Sequence, residues 1–293
     1  MAEQPPAVLY DPAVRAGVAL ITLNRPKKLN AWNAAMAIAF SEALHDAAED
    51  PEVRVVVVTG AGRGFCGGAD LTDPANFPQQ KGKDGVATHR AVQAKPRRPV
   101  LHPVKHMTSH PKIIVCAANG AVAGMGMVLA LGSDIKFAER DAKWTTAFAR
   151  RGLIAEHGLS YLLPQSVGTG HAMRLLVAAE VVKSDELYSM GLIQQLSGKG
   201  NVLEDALVFA ADLARNVPPG SMAVIKKQVY THPHLGLTEA MAQSDVLMRE
   251  TLKTEDCNEG VKSYMEKRTP NFKPYDKHSS LSRKAAEVLP SKL

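Results

Sequence analysis

Two features of this chain suit chemistry on a carbonyl compound: an acid set among apolar residues, and glycine turns that bare backbone N–H groups. In "FARRGLIAEHGLSYLLP", Glu156 and His157 stand among Leu153, Ile154, Leu159, Leu162 and Leu163. Burying an unpaired charge costs several kcal/mol, so such a carboxylate lies at a solvent edge or in a site that uses it. Its chemistry would be proton transfer, with His157 beside it chiefly as a packing or hydrogen-bond partner and, as the lesser alternative, a proton shuttle. The glycine turns are "GRGFCGGADL" (Gly62 to Leu71) and "NGAVAGMGM" (Asn119 to Met127). Neither has dinucleotide-binding spacing, and neither leads into Gly-Lys-Ser/Thr, which excludes a P-loop. Small residues let a ligand approach the main chain, and the second turn opens a helix whose first N–H groups favour negative charge. Two such turns facing each other would hold an oxyanion, whereas packing around a strand crossing is the alternative for either one alone.

Elements that must position these groups follow from periodicity. "GVALITLNRP" (Gly17 to Pro26) alternates and stops at Asn-Arg-Pro, a strand and turn, and Asn33 to Asp50 has a helical period. "VRVVVVTGAG" is a continuous valine run suited to a strand buried on both faces. A strand over Ile113 to Ala117, a small-residue helix and a second strand over Asp134 to Ala138 repeat the grammar. Beyond Trp144, helical periods around His171 to Ala179, Glu204 to Asn216 and Leu237 to Leu252 dominate. The expected organisation is an α/β core over residues 1–200, a helical region over 201–272 and a flexible basic tail over 273–293.

Between Leu71 and Pro111 runs a long basic segment rich in Pro, Gly and Gln, and connections beyond about 12 to 15 residues are usually functional or mobile. His102, His106 and His110 recur every four residues there, which on a helix shares one face. No acidic partner lies nearby in sequence, so a solvated helix face is expected and a metal site is not.

At 293 residues, 45% hydrophobic and 22% charged, the chain is in the ordinary globular range. A net charge of +6 could suit nucleic acid, but aromatics at 5% provide no stacking platform, and an anionic small molecule explains the sign equally well. Cys66, Cys116 and Cys257 are far apart with no Cys-x-x-Cys, which reads as reduced thiols and excludes a structural zinc site. No apolar run reaches a membrane span, and "MAEQPPAVLYD" lacks a signal-peptide pattern. The terminal Ser291-Lys292-Leu293 reads as a peroxisomal address, which makes a peroxisomal import receptor an expected partner.

The motifs together resemble the enoyl-CoA hydratase/isomerase family, the crotonases. They run in order from "ITLNRPKKLNAW" through "GRGFCGGADL", "NGAVAGMGM" with "SDIKFA", "RRGL" with "AEHG", and "SDELYSMGLI" to "YMEKRTPNF", covering about residues 8–272. The resemblance implies a spiral of ββα units with a helical C-terminal trimerisation region, a homotrimer or hexamer, and an acyl-CoA substrate that needs no separate cofactor. It assigns the thioester oxygen to the N–H groups of Ala69 and Met125, with Met125 narrowing the pocket beside them. By the same resemblance, Lys27, Lys28, Asn30 and Ala31 meet the pantetheine and phosphate arm, while Ala69, Asp70 and Leu71 line the adenine side. Gly124 and Phe148 belong to the pocket wall, Phe272 and Lys273 come from a neighbouring subunit, and the pocket floor comes from the segment between Thr72 and Ser109.

Hydratases of this family use two Glu residues, and the matching positions here hold Val128 and Phe148. What remains is Glu156 in "GLIAEHG", which resembles the catalytic Glu of peroxisomal Δ3,Δ2-enoyl-CoA isomerases. A 3-enoyl-CoA to 2-enoyl-CoA isomerase is therefore the favoured expectation. The alternatives are an enoyl-CoA hydratase or 3-hydroxyacyl-CoA dehydratase using Glu156 alone, and a non-catalytic acyl-CoA or protein binding module.

Overall fold

The computed structural model describes residues 5–73 and 96–289, so most of the basic segment after Asp73 and the terminal Ser291-Lys292-Leu293 lie outside the described residues. Strand β1 (Val8–Arg15) runs antiparallel to β2 (Val18–Leu23). Helix α1 (Ala34–Glu49) starts where the Asn33 side chain accepts the Met36 N–H. The valine run forms β3 (Val55–Gly60), buried throughout, and turns directly into β4 (Gly64–Cys66). After α2 (Pro103–Thr108) come β5 (Ile113–Ala118), β6 (Ala121–Ala123) and α3 (Met125–Gly132), then β7 (Ile135–Glu139) and β8 (Lys143–Thr145). Helix α4 (Leu159–Met173), β9 (Val182–Lys183), α5 (Ser184–Ser189) and β10 (Gln195–Ser197) complete the strands. Five helices follow: α6 (Val202–Asn216), α7 (Pro219–Thr231), α8 (Leu237–Thr251), α9 (Glu255–Glu266) and α10 (Ser280–Val288).

One sheet has the order β1-β2-β3-β5-β7-β10 and the other β4-β6-β8-β9. Each successive strand pair, β3 with β4, β5 with β6 and β7 with β8, places one strand in each sheet. The chain therefore advances in both sheets at once, which is the α/β spiral of ββα units expected from the resemblance. Alternation within β3 explains its unbroken valines: Val56 and Val58 join Phe40, Leu44 and Leu129 on one face, while Val55 and Val57 meet Ala206 and Ala210 on the other.

That second face corrects the expected boundary at residue 200. Helix α6 buries Val202, Ala206, Ala210 and Ala214 against the main sheet, so it belongs to the α/β core. The small alanines let it lie close to the strands, and they carried too little apolar bulk to read as core. The expected flexible tail from Lys273 is also corrected. The Ser279 hydroxyl caps α10 by accepting the Ser282 N–H, and Leu281, Ala285 and Leu289 pack with Val224 and Leu247.

Helix α2 departs from its expected solvated face. His106 and His110 are buried, and His110 Nε2 lies 3.0 Å from the Leu44 carbonyl oxygen. Burial pushes His106 down to about 4 and His110 down to about 3. Among the described residues, no group of three His, Cys, Asp or Glu could hold a metal, and no helix is long and apolar enough to cross a membrane.

Candidate active site

Parallel pairing of β4 with β6 brings the two glycine turns together at the ends of these strands. A Cβ on Gly124 would lie 3.7 Å from the Gly68 Cα, and Gly124 itself adopts φ 46°, which only glycine takes without strain. Gly126 is held tighter still, since a Cβ there would sit 2.3 Å from the Cys66 carbonyl oxygen. The Trp32 N–H donates to the Gly68 carbonyl and the Asp70 N–H to the Trp32 carbonyl, so the Ala69 N–H between them points the other way. Met125 is the first residue of α3, where Val128 N–H is the first to reach back to Gly124. Among the described residues, the N–H groups of Ala69 and Met125 donate to no protein acceptor. Two bare donors on abutting turns fit a developing oxyanion. The Met125 side chain itself is buried within the main hydrophobic core.

A polar frame fixes the first turn. Buried Asn30 accepts the Arg25 N–H at 2.8 Å and donates to the carbonyls of Ala61 (2.9 Å) and Gly64 (2.8 Å). Its side chain is committed to the loop, so the expected ligand contact by Asn30 is replaced by a positioning role. Arg25 donates to Asp70 at 2.7 Å and to the Ala31 carbonyl, and Thr72 donates to Asp70 at 2.7 Å through its hydroxyl. Burial opposes ionisation of Asp70, but the hydrogen bonds from Thr72 and Arg25 and the guanidinium charge outweigh it and hold the carboxyl well below the usual carboxylate range. Lys28 reaches Thr72 at 3.0 Å and Asp70 at 3.4 Å, with Lys27 and Leu71 exposed nearby in the same pair of loops. Lys27, Lys28, Ala31, Ala69, Asp70 and Leu71 are thus brought together at one rim.

Phe148 connects this rim to the acid. A Cβ on Gly124 would lie 4.0 Å from Phe148 Cζ, and the Phe148 ring centroid is 6.3 Å from that of His157. His157 Nε2 lies 3.6 Å from Glu156 Oε2, and His157 Nδ1 lies 2.8 Å from His102 Nε2. Beyond them opens a cavity of about 540 Å³ with His102, Val104, His157, Tyr161, Tyr230 and His234 in its wall. Glu156 precedes the Gly158 cap of α4, and among the described residues its carboxylate accepts no N–H from that helix. The expected apolar enclosure is partial. Leu159 is buried, but Leu153 and Ile154 face outward, leaving the Glu156 side chain 40% exposed in the single chain. Val128 is buried in the core.

Phe272 and Lys273 are not at this site within the chain. Phe272 is buried against Gly260 of α9, its carbonyl accepts from Arg54 at 2.7 Å, and Lys273 pairs with Glu255. Arg54 precedes β3, at the end of the parallel strands opposite the glycine turns, so the Phe272 ring is committed to its own subunit. Sequence reasoning passed over Arg25 and Asn119, and it read His102 as part of a solvated helix face where the structure sets it against His157. Asn119 closes the loop after β3 with bonds of 2.7 Å to the Gly60 carbonyl and 2.9 Å to the Gly62 carbonyl. Its signal was the Asn-Gly pair opening the second turn, and that of Arg25 was the Asn-Arg-Pro strand end.

The enoyl-CoA hydratase/isomerase family model matches residues 13–275. A 1,2-epoxyphenylacetyl-CoA isomerase of Escherichia coli K12 is 33% identical over 260 residues, 88% of this chain and 96% of that protein. A 2,3-dehydroadipyl-CoA hydratase of the same organism is 31% identical over 256 residues, 87% and 95% of the two chains. Among solved structures, an enoyl-CoA hydratase from Polaromonas sp. JS666 superposes with a TM-score of 0.79 at 27% identity, covering 91% of this chain and 99% of the other. With the family model spanning most of the chain and the two Escherichia coli relatives 33% and 31% identical over most of both chains, this chain belongs to the enoyl-CoA hydratase/isomerase family.

Proposed function

We propose that this enzyme moves the double bond of a 3-enoyl-CoA to the 2-position, with Glu156 carrying the proton. The observation behind this reading is the acid inventory of these motifs: Val128 and Phe148 stand where the resemblance puts a hydratase's pair, and Glu156 is the carboxylate 3.6 Å from His157, whose ring lies 6.3 Å from that of Phe148. Glu156 takes a proton from C2, and the C–H electron pair moves into a dienolate whose oxygen rests on the Ala69 and Met125 N–H groups. Returning the proton at C4 leaves the C2=C3 bond and restores the thioester carbonyl. The coenzyme arm would lie along the Lys27, Lys28 and Ala31 rim, and the acyl end toward the cavity behind His157.

Hydration of a 2-enoyl-CoA is the second reading, favoured by the hydratase names of relatives such as the 2,3-dehydroadipyl-CoA enzyme. The deciding assay offers wild type and Glu156→Gln both a 3-enoyl-CoA and a 2-enoyl-CoA. Conversion of the 3-enoyl substrate alone, falling about 10²- to 10⁴-fold in the variant with binding retained, is the expected outcome. Conversion of the 2-enoyl substrate alone would move the assignment to hydratase, and coenzyme A binding with neither activity would favour a binding module. Peroxisomal import rests on Ser291-Lys292-Leu293 alone and belongs to the same proposal, as does assembly into a trimer or hexamer.

A further inference from the structure

His157 has a left-handed backbone, φ 57°, followed by Gly158 at φ 79°. A non-glycine residue held in that region marks a constraint from its surroundings. The turn sets one imidazole nitrogen 3.6 Å from Glu156 and the other 2.8 Å from His102, with the His102 and His157 rings stacked at 5.0 Å between centroids. Both histidines line the cavity wall. We propose that His157 and His102 form a relay that exchanges the proton held by Glu156 with solvent in the cavity. The proposal rests on the reading of Glu156 as the acid–base group.

A neutral imidazole offers one donor and one acceptor nitrogen, so two in series can pass a proton without a net charge remaining on either. Burial, and then the neighbouring His157, lower the His102 pKa, which keeps that ring neutral and able to accept. After Glu156 has taken a proton from C2, its carboxylic acid hands that proton to His157 Nε2. The His157 Nδ1 proton moves to His102 Nε2, and His102 releases its Nδ1 proton to water in the cavity. A solvent proton travelling the reverse way restores both tautomers and reloads Glu156. No electrons change owner, and the net event is exchange of one proton. Without the relay, a proton taken from C2 returns to C2, proceeds to C4, or leaves only through solvent that reaches the partly exposed carboxylate directly.

The test uses the full chain in D2O with a saturated short-chain acyl-CoA, reading deuterium at C2 by mass spectrometry beside conversion of a 3-enoyl-CoA by absorbance. Wild type should exchange C2. His102→Leu and His157→Gln, which alter different elements, should each lower the ratio of exchange to isomerisation by about tenfold. His157→Gln keeps an amide donor next to Glu156, so it separates holding the carboxylate from relaying its proton. An unchanged ratio in either variant, even with both rates reduced, overturns the relay, because a residue that only holds Glu156 affects the two reactions alike. Absence of exchange in wild type overturns it as well. Should His102→Leu not fold, His102→Asn takes its place with the same expectation. Turnover retained by Glu156→Gln would sink the acid–base reading itself, whereas turnover lost there with the ratio unchanged in the histidine variants would sink only the relay.

Discussion

Asp70 shows how a single side chain holds the site without touching the reacting atoms. Its carboxylate gathers Arg25, Thr72 and Lys28, and its backbone N–H bonds Trp32, so the Ala69 donor sits on a frame anchored on both sides. Asp70→Asn keeps the shape but leaves the Arg25 guanidinium partly uncompensated. It should lower stability by about 1–3 kcal/mol, as for other hydrogen bonds to charged groups, and turnover should fall with it. Calorimetry and steady-state rates check this, and unchanged values in both would remove the framing role. His110 carries a pH prediction. Its ordinary value of 6.5 falls to about 3 in the fold through burial, so below about 6.5 the unfolded chain binds a proton that the folded chain refuses. Stability should therefore be full above pH 6.5 and decline as pH drops from there toward 3. His110→Gln should flatten that decline in a series of thermal midpoints, while an identical slope would show that other groups govern acid sensitivity.

Gly126 tests how closely the first turn of α3 must lie against β4. A methyl group there would meet the Cys66 carbonyl oxygen at 2.3 Å, a backbone atom with no rotamer to change. Gly126→Ala should push α3 away from β4 and separate the two N–H donors. The expected result is a folded protein destabilised by about 1–3 kcal/mol with a larger fractional loss in turnover than in acyl-CoA binding. Turnover at the wild-type level would mean that the juxtaposition of Ala69 with Met125 is not used. At this scale β2, α1, β3, β5 and β7 were legible in the sequence because burial pattern and glycine stops are local signals. Strand β1 was not, since Pro12 interrupts it and an edge strand tolerates that residue where an inner one would not.

Across the whole molecule, the helices after the core leave apolar surface uncovered in the single chain. Leu237, Met241 and Met248 repeat along one stripe of α8 that Leu252 continues at its C-cap, and Val261, Tyr264 and Met265 are exposed on α9. Spacings of four and seven keep such residues on one helical face, and exposed apolar patches of this kind mark association surfaces. We expect self-association through this face, so sedimentation should show a trimer or hexamer at micromolar concentration. Met248→Lys combined with Tyr264→Lys should shift it toward monomer. A wild-type protein that sediments as a stable monomer would remove the assembly proposal.

The sequence by itself determined β2, α1, β3, β5 and β7, the two glycine turns and the family, because each is written in neighbouring residues. Valine alternation reports burial, a glycine reports a backbone that a Cβ would block, and motif order reports descent. Only the tertiary structure decided what meets across long separations. It placed His102 against His157 and buried Lys226 with Asp134 at 2.7 Å under Tyr230. It turned α6 into core, folded the basic tail into α10, and faced Leu153 and Ile154 outward beside the acid they were expected to enclose. The physical reason is common to all of these. A side chain's environment is set by the elements that pack over it, and packing partners far apart in sequence leave no periodic trace in the residues between them.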